Sequence, residues 1–163
     1  MVKGLDTFQK YFADYEEQYV LIGGAACDIL FESNEVNFRA TRDLDMVLIV
    51  EALTPEFGEK FWEFIVDGKY RNKATNGSNP QFYRFDKPED DEFPKMIELF
   101  CRSDFKLKNA KGITPIHIDD EVSSLSAILL NDDYYKALLN GKEVRNGLSV
   151  LRPEYIILFK AKA

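Results

Sequence analysis

Cysteine, histidine and long apolar runs are scarce in this chain, and each scarcity removes a class of protein. Among 163 residues there are 2 cysteines and 1 histidine. Cys27 and Cys101 lie far apart without the spacing of a metal-ligand set, which argues against a disulfide framework. Both are expected to be small core residues in a reducing, cytoplasmic setting. His117 has no second histidine or cysteine nearby and is expected to be structural. Apolar runs such as Met46 to Val50 fall far short of the ~20 residues a spanning helix needs, so no membrane segment is expected. The opening Met-Val-Lys-Gly-Leu-Asp contains no apolar signal core, and export is not expected. Basic charge is in deficit as well: 21 Lys and Arg against 28 Asp and Glu give a net charge of −7. That balance argues against a protein whose main task is to coat duplex nucleic acid. Repeats and low-complexity tracts are also lacking, and the acidic run Glu89 to Glu92, bounded by prolines, reads as a solvated loop.

What is present is enough apolar material for one core, 45% hydrophobic and 13% aromatic residues. Leu5, Phe8, Tyr11, Phe12 and Tyr15 recur at helical spacing and predict an amphipathic helix. Tyr19 to Ile22 predicts a buried strand that ends at Gly23-Gly24, after which Ala25 to Phe31 resumes a helical pattern. Asp43 to Val50 predicts a second strand, too apolar beyond its start to face water. Pro55 opens a helix with Phe57, Phe61, Phe64 and Ile65 on its buried side, Trp62 also in the core, and Asp67-Gly68 as its stop. Further strands are expected at Gln81 to Phe85, Met96 to Cys101 and Gly112 to Ile118. Asn131 to Leu139 predicts a helix ended by Asn140-Gly141, and Arg145-Asn146-Gly147 predicts the tight turn of a hairpin. Pro153 then starts a last helix with Tyr155, Ile156, Leu158 and Phe159 apolar. The expected organisation is one core domain over residues 1–151 and the start of a C-terminal helix over 152–163. That helix has no stop signal, which raises the expectation of a chain continued beyond it.

The chemistry is concentrated in Gly23-Gly24-Ala25-Ala26-Cys27-Asp28 and in Arg39-Ala40-Thr41-Arg42-Asp43-Leu44-Asp45. A strand has a side-chain period of two, so Asp43 and Asp45 project from one face while Leu44 and Met46 point to the other. Two carboxylates held side by side repel each other, and a hard divalent cation such as Mg²⁺ relieves that repulsion. Mg²⁺ ordinarily completes its shell with water and substrate phosphates, which points to a nucleoside triphosphate as the ligand. Gly23 and Gly24 fit it: without Cβ atoms the backbone can approach a triphosphate, and the first N–H groups of the following helix donate to it. Arg39 and Arg42 are candidate phosphate contacts or local salt-bridge partners.

This arrangement resembles the nucleotidyltransferases of the DNA polymerase β-like superfamily, whose signature is a Gly-Gly or Gly-Ser turn followed by Asp-x-Asp on the next strand. The likeness spans roughly Tyr19 to Val50. Arg39-x-Thr41-x-Asp43-Leu44-Asp45 looks most like the AbiEii-type toxins of abortive-infection and toxin–antitoxin systems, and Gly-Gly-x-Ala-x-Asp is also similar to lincosamide and aminoglycoside nucleotidyltransferases. The 18 residues between Gly24 and Asp43 exceed the compact form of the signature. The resemblance implies an α/β (α+β) nucleotidyltransferase fold with a mixed sheet flanked by helices. It also implies two Mg²⁺ ions and transfer of a nucleoside monophosphate with loss of pyrophosphate. Arg39 and Thr41 become candidate nucleotide-binding residues beside Gly23 and Gly24.

Such enzymes take a third carboxylate from a later strand. Glu98, the single charge in Met96-Ile97-Glu98-Leu99-Phe100, is the candidate, as third metal ligand and general base; Asp119-Asp120-Glu121 competes but reads better as a helix cap. Related enzymes also place a helical lysine on the triphosphate, a role for which Lys160 is the candidate. The basic stretch Arg102, Lys106, Lys108 and Lys111 could guide RNA or a nucleotide, or serve as a plain connection. Three readings of function follow. The first is an RNA-modifying toxin with an antitoxin protein as partner, the second a small-molecule antibiotic nucleotidyltransferase, and the third a non-catalytic nucleotide-binding module.

Overall fold

The chain was analysed as a computed structural model, which describes residues 2–31, 43–49, 51–72, 84–101, 106–109, 112–115 and 132–162. Its elements are α1 (Leu5–Phe12), β1 (Tyr19–Ile22), α2 (Gly23–Phe31), β2 (Asp43–Leu48), α3 (Pro55–Asp67), β3 (Arg71–Asn72) and β4 (Arg84–Asp86). They continue with β5 (Met96–Cys101), β6 (Lys106–Asn109), β7 (Gly112–Pro115), α4 (Asp132–Gly141), β8 (Lys142–Arg145), β9 (Leu148–Leu151) and α5 (Pro153–Lys162). Among the described residues, seven strands form one mixed sheet in the order β3-β4-β5-β2-β1-β9-β8, and β6 and β7 form a separate ribbon. The architecture is α/β, a mixed sheet with helices on both faces. None of the described helices is long and apolar enough to cross a membrane.

The strand order explains the residue types. β1 lies inside the sheet, antiparallel to β2 on one side and parallel to β9 on the other, so all four of its residues are buried and all four are apolar or aromatic. β2 is antiparallel to β1 and parallel to β5. It is fully buried from Met46 to Leu48, but its first three residues alternate, with Leu44 buried between half-buried Asp43 and Asp45. That alternation marks the end of the sheet where one face opens.

On the opposite face, α1 and α3 pack on β1 and β4 through an aromatic layer. Phe8 and Phe12 of α1 pack on Tyr19 of β1, and Phe61 and Trp62 of α3 pack edge-on against Phe85 of β4. α3 begins as its sequence implies: Pro55 occupies the first turn and the Thr54 hydroxyl accepts the Phe57 N–H at 3.3 Å. The β8–β9 hairpin also follows expectation, with Asn146 and Gly147 at φ 51° and 71° and Arg145 paired with Leu148.

Several boundaries differ from those read in the sequence. α1 ends at Phe12, and Tyr15, expected on its stripe, instead sits in the following turn, where its N–H reaches the Phe12 carbonyl at 3.0 Å and its ring still packs on the core. α4 runs through Gly141 rather than stopping before it. The glycine is required because the Tyr155 ring lies against it, and a Cβ there would fall 2.4 Å from Tyr155 Cγ. In α5, among the expected apolar side chains that are described, Ile156 is buried, Tyr155 is half-buried and Leu158 is exposed. β3 and β6 were not expected: β3 is two residues long, and β6 reads Lys-Leu-Lys-Asn, which resembles a connection.

Candidate functional site

Register brings the predicted carboxylates together. β2 and β5 run parallel with Asp43 opposite Met96, Leu44 opposite Ile97 and Asp45 opposite Glu98, so Asp45 and Glu98 share one rung and one face, and Asp43 lies two residues along that face. β1 closes the other side, with Ile22 opposite Asp45. The next residue is Gly23, where the chain turns straight into α2 at a φ of 68°. A Cβ at Gly23 would fall 2.6 Å from Asp45 Oδ2, so the glycine is needed for its left-handed backbone and for the closeness of the carboxylate. The helix thus starts at Gly23 itself rather than at Ala25, and its first turn abuts the acidic rung.

Glu98 is not alone in the strand. β4 lies antiparallel beside β5 with Arg84 directly opposite Glu98. The Arg84 Nε donates to Glu98 Oε1 at 2.7 Å, and its Nη2 approaches the same oxygen. The Glu98 side chain is 21% exposed and that of Arg84 48%. Arg84 is the functional candidate that the sequence reading missed. The alternation Tyr83-Arg84-Phe85 already put it on the face opposite a core phenylalanine, but its partner is set by cross-strand register.

Asp45 carries the strongest electrostatic signature of the rung. Burial is the largest cause pushing its carboxyl up from 3.8 to about 7. The charges of Glu98 and then Asp43 add to the rise, as does a hydrogen bond with Glu98, and Arg84 opposes it. Asp45 therefore keeps its proton until near neutrality, first because it is buried and then because the neighbouring negative charge is not fully compensated. A second signal lies on α2, where Asp28 Oδ2 is shielded from solvent and has no hydrogen-bond partner among the described residues.

These observations test the fit of a divalent cation. The donor set is all oxygen, the charge at Asp45 is undercompensated, and the cradle at Gly23 has no room for a Cβ, so the chemistry suits Mg²⁺. Among the described residues no three acid, histidine or cysteine side chains converge on one point. Asp45 and Glu98 meet, while Glu98 is also engaged by Arg84. Of the other residues named from the sequence, Arg39, Thr41, Arg42, His117 and Asp119 to Glu121 lie outside the described residues, as does the side chain of Lys160, whose backbone belongs to α5. Cys27 is half-buried on α2.

Gly23→Ala is expected to destabilise the fold by about 2 kcal/mol, from the left-handed backbone and from displacement of Asp45. Denaturant unfolding measures it; a loss below about 0.5 kcal/mol would contradict the tight approach of Gly23 to Asp45.

Comparison of the chain with protein-family models, with curated proteins and with solved structures gives no significant match.

Proposed function

We propose that this chain is a metal-dependent nucleotidyltransferase that moves a nucleoside monophosphate from a nucleoside triphosphate to a hydroxyl acceptor, with release of pyrophosphate. The observation that carries the reading is the shared rung of Asp45 and Glu98, pressed against Gly23 at the start of α2. Asp43 and Asp45 are the proposed ligands of two Mg²⁺ ions, with Glu98 completing the second set. Mg²⁺ at such carboxylates supplies charge neutralisation on the phosphates and eases deprotonation of the acceptor hydroxyl. The chain's own part is to orient and bind. Gly23 and Gly24 let the backbone come close to the triphosphate, and the free N–H groups of the first turn of α2 donate to its oxygens. Glu98 is the proposed acceptor of that hydroxyl's proton. Arg39, Thr41 and Lys160 belong to the same proposal as phosphate contacts. The proposed acceptor is an RNA hydroxyl, with an antitoxin protein as partner, and small cationic antibiotics are the competing acceptors. The engagement of Glu98 by Arg84 favours one second reading, a module that binds nucleotide without turnover.

Calorimetric titration of ATP, GTP, CTP and UTP, with and without Mg²⁺, tests the proposal. Binding that requires Mg²⁺ and disappears in Asp43→Ala/Asp45→Ala is expected. Binding that ignores the metal, or survives the double substitution, overturns it. Pyrophosphate release in an acceptor screen then separates the transferase from the binding module.

A further inference from the structure

Arg84 occupies an odd place for a structural ion pair. It sits on a three-residue strand with about half of its side chain exposed, yet both its Nε and Nη2 are spent on a single oxygen of Glu98. The same Glu98 is hydrogen-bonded with Asp45, so two groups compete for its charge. Arg71 provides the contrast two rungs away. It is paired with Asp86 at 3.5 Å, and the Asp86 side chain is only 12% exposed, so that arginine serves an acid with little access to water. Glu98 would gain a stronger partner than Arg84 from any divalent cation held by Asp43 and Asp45. While Glu98 stays with Arg84, no three ligands converge among the described residues.

We propose that Arg84 is a phosphate-binding residue whose resting partner is Glu98: a divalent cation takes Glu98, and the displaced guanidinium engages an anionic oxygen of the nucleotide's phosphate chain. This rests on the proposed nucleotide-binding reading of the site. A guanidinium fork fits carboxylate and phosphate oxygens alike, so the exchange replaces one charge-assisted pair by another. Cross-strand register fixes the base of the side chain beside the carboxylates, and its exposed length can turn without disturbing the buried Phe85. Arg84 thus acts in opposite directions on two ligands. It competes with a bare cation for Glu98, and it assists a cation that arrives with phosphate.

Mn²⁺ binding followed by electron paramagnetic resonance, and Mg²⁺-dependent nucleotide binding followed by calorimetry, test this on the intact chain and on Arg84→Gln and Arg84→Lys. Arg84→Gln is expected to bind Mn²⁺ alone several-fold more tightly and Mg²⁺-nucleotide about tenfold more weakly, and Arg84→Lys, which keeps the charge, is expected to lie between. Weakening of both ligands means a structural role and overturns the inference, as does no change in either. If the intact chain binds Mn²⁺ and nucleotide through Asp45 and Arg84→Gln changes neither, only the inference fails. If the intact chain binds neither, or binds them without Asp43 and Asp45, the nucleotidyltransferase reading fails with it. Circular dichroism melts of both variants show that the fold is kept, and Arg84→Lys carries the test if Arg84→Gln does not fold.

Discussion

Asp45→Asn is expected to make the metal-free protein more stable at pH 8 than it is with its native aspartate. The folded-state carboxyl titrates at about 7 against 3.8 ordinarily, so between these values the folded state binds a proton that the unfolded state has already lost. Stability contributed by the protonated form is complete below pH 3.8 and is lost as pH rises through 7. A gap of about 3 pH units corresponds to ~4 kcal/mol, or roughly 10 °C in Tm for a chain of this size. Asparagine remains neutral at every pH and can still donate to Glu98, so the variant escapes the loss. The two proteins should therefore melt alike near pH 4, diverge progressively between pH 4 and 7, and stay apart by a constant amount above pH 7. Mg²⁺ should narrow the gap. An ion at a hundredfold excess over its dissociation constant adds about 2.7 kcal/mol to the native chain, and little to a variant lacking the ligand. Parallel pH profiles for the two proteins would refute the charge crowding on this rung.

Phe12→Ala is expected to shift stability by a similar amount in the opposite direction. Phe12 is fully buried, and its ring centroid lies 4.5 Å from Phe8, 5.4 Å from Phe64 and 5.8 Å from Phe57, with Tyr19, Phe61 and Tyr15 just beyond. Removing it leaves a cavity between α1, α3 and β1 that rigid neighbouring rings cannot close, and a loss of about 3–5 kcal/mol follows. Phe12→Leu, which keeps much of the volume, should cost clearly less. Denaturant unfolding of the three proteins measures both steps. A Phe12→Ala loss under about 1 kcal/mol would mean that the aromatic layer does not hold α1 to the sheet. The consequence reaches the site, because Leu44 and Met46 are buried on this same side of β2 and hold Asp43 and Asp45 outward.

Much of this was legible because local signals agree. Tyr19 to Ile22, Asp43 onward, Met96 to Cys101 and the Pro55 helix each combine an apolar pattern with a clear boundary residue, and the structure has them there. Asp43, Asp45 and Glu98 were legible as charges at the wrong place for an apolar strand. Other features depend on partners distant in sequence. Arg84 meets Glu98 only because β4 and β5 pair in one particular register, and Gly141 is required inside a helix because the Tyr155 ring lies against it. β6 escaped because two lysines and an asparagine in four residues give no apolar face, yet it is paired along its length with β7.

The interior position of β1 has a kinetic meaning. Its parallel neighbour is β9, with Leu21 opposite Val150, so β1 waits for a strand made more than a hundred residues after it. Until then β1 can pair only with β2, and its other edge, wholly apolar, is open to misplaced strands. Folding governed by so long-range a pairing is expected to be slow, and conditions that lengthen synthesis should raise the yield lost to aggregation rather than alter the finished protein.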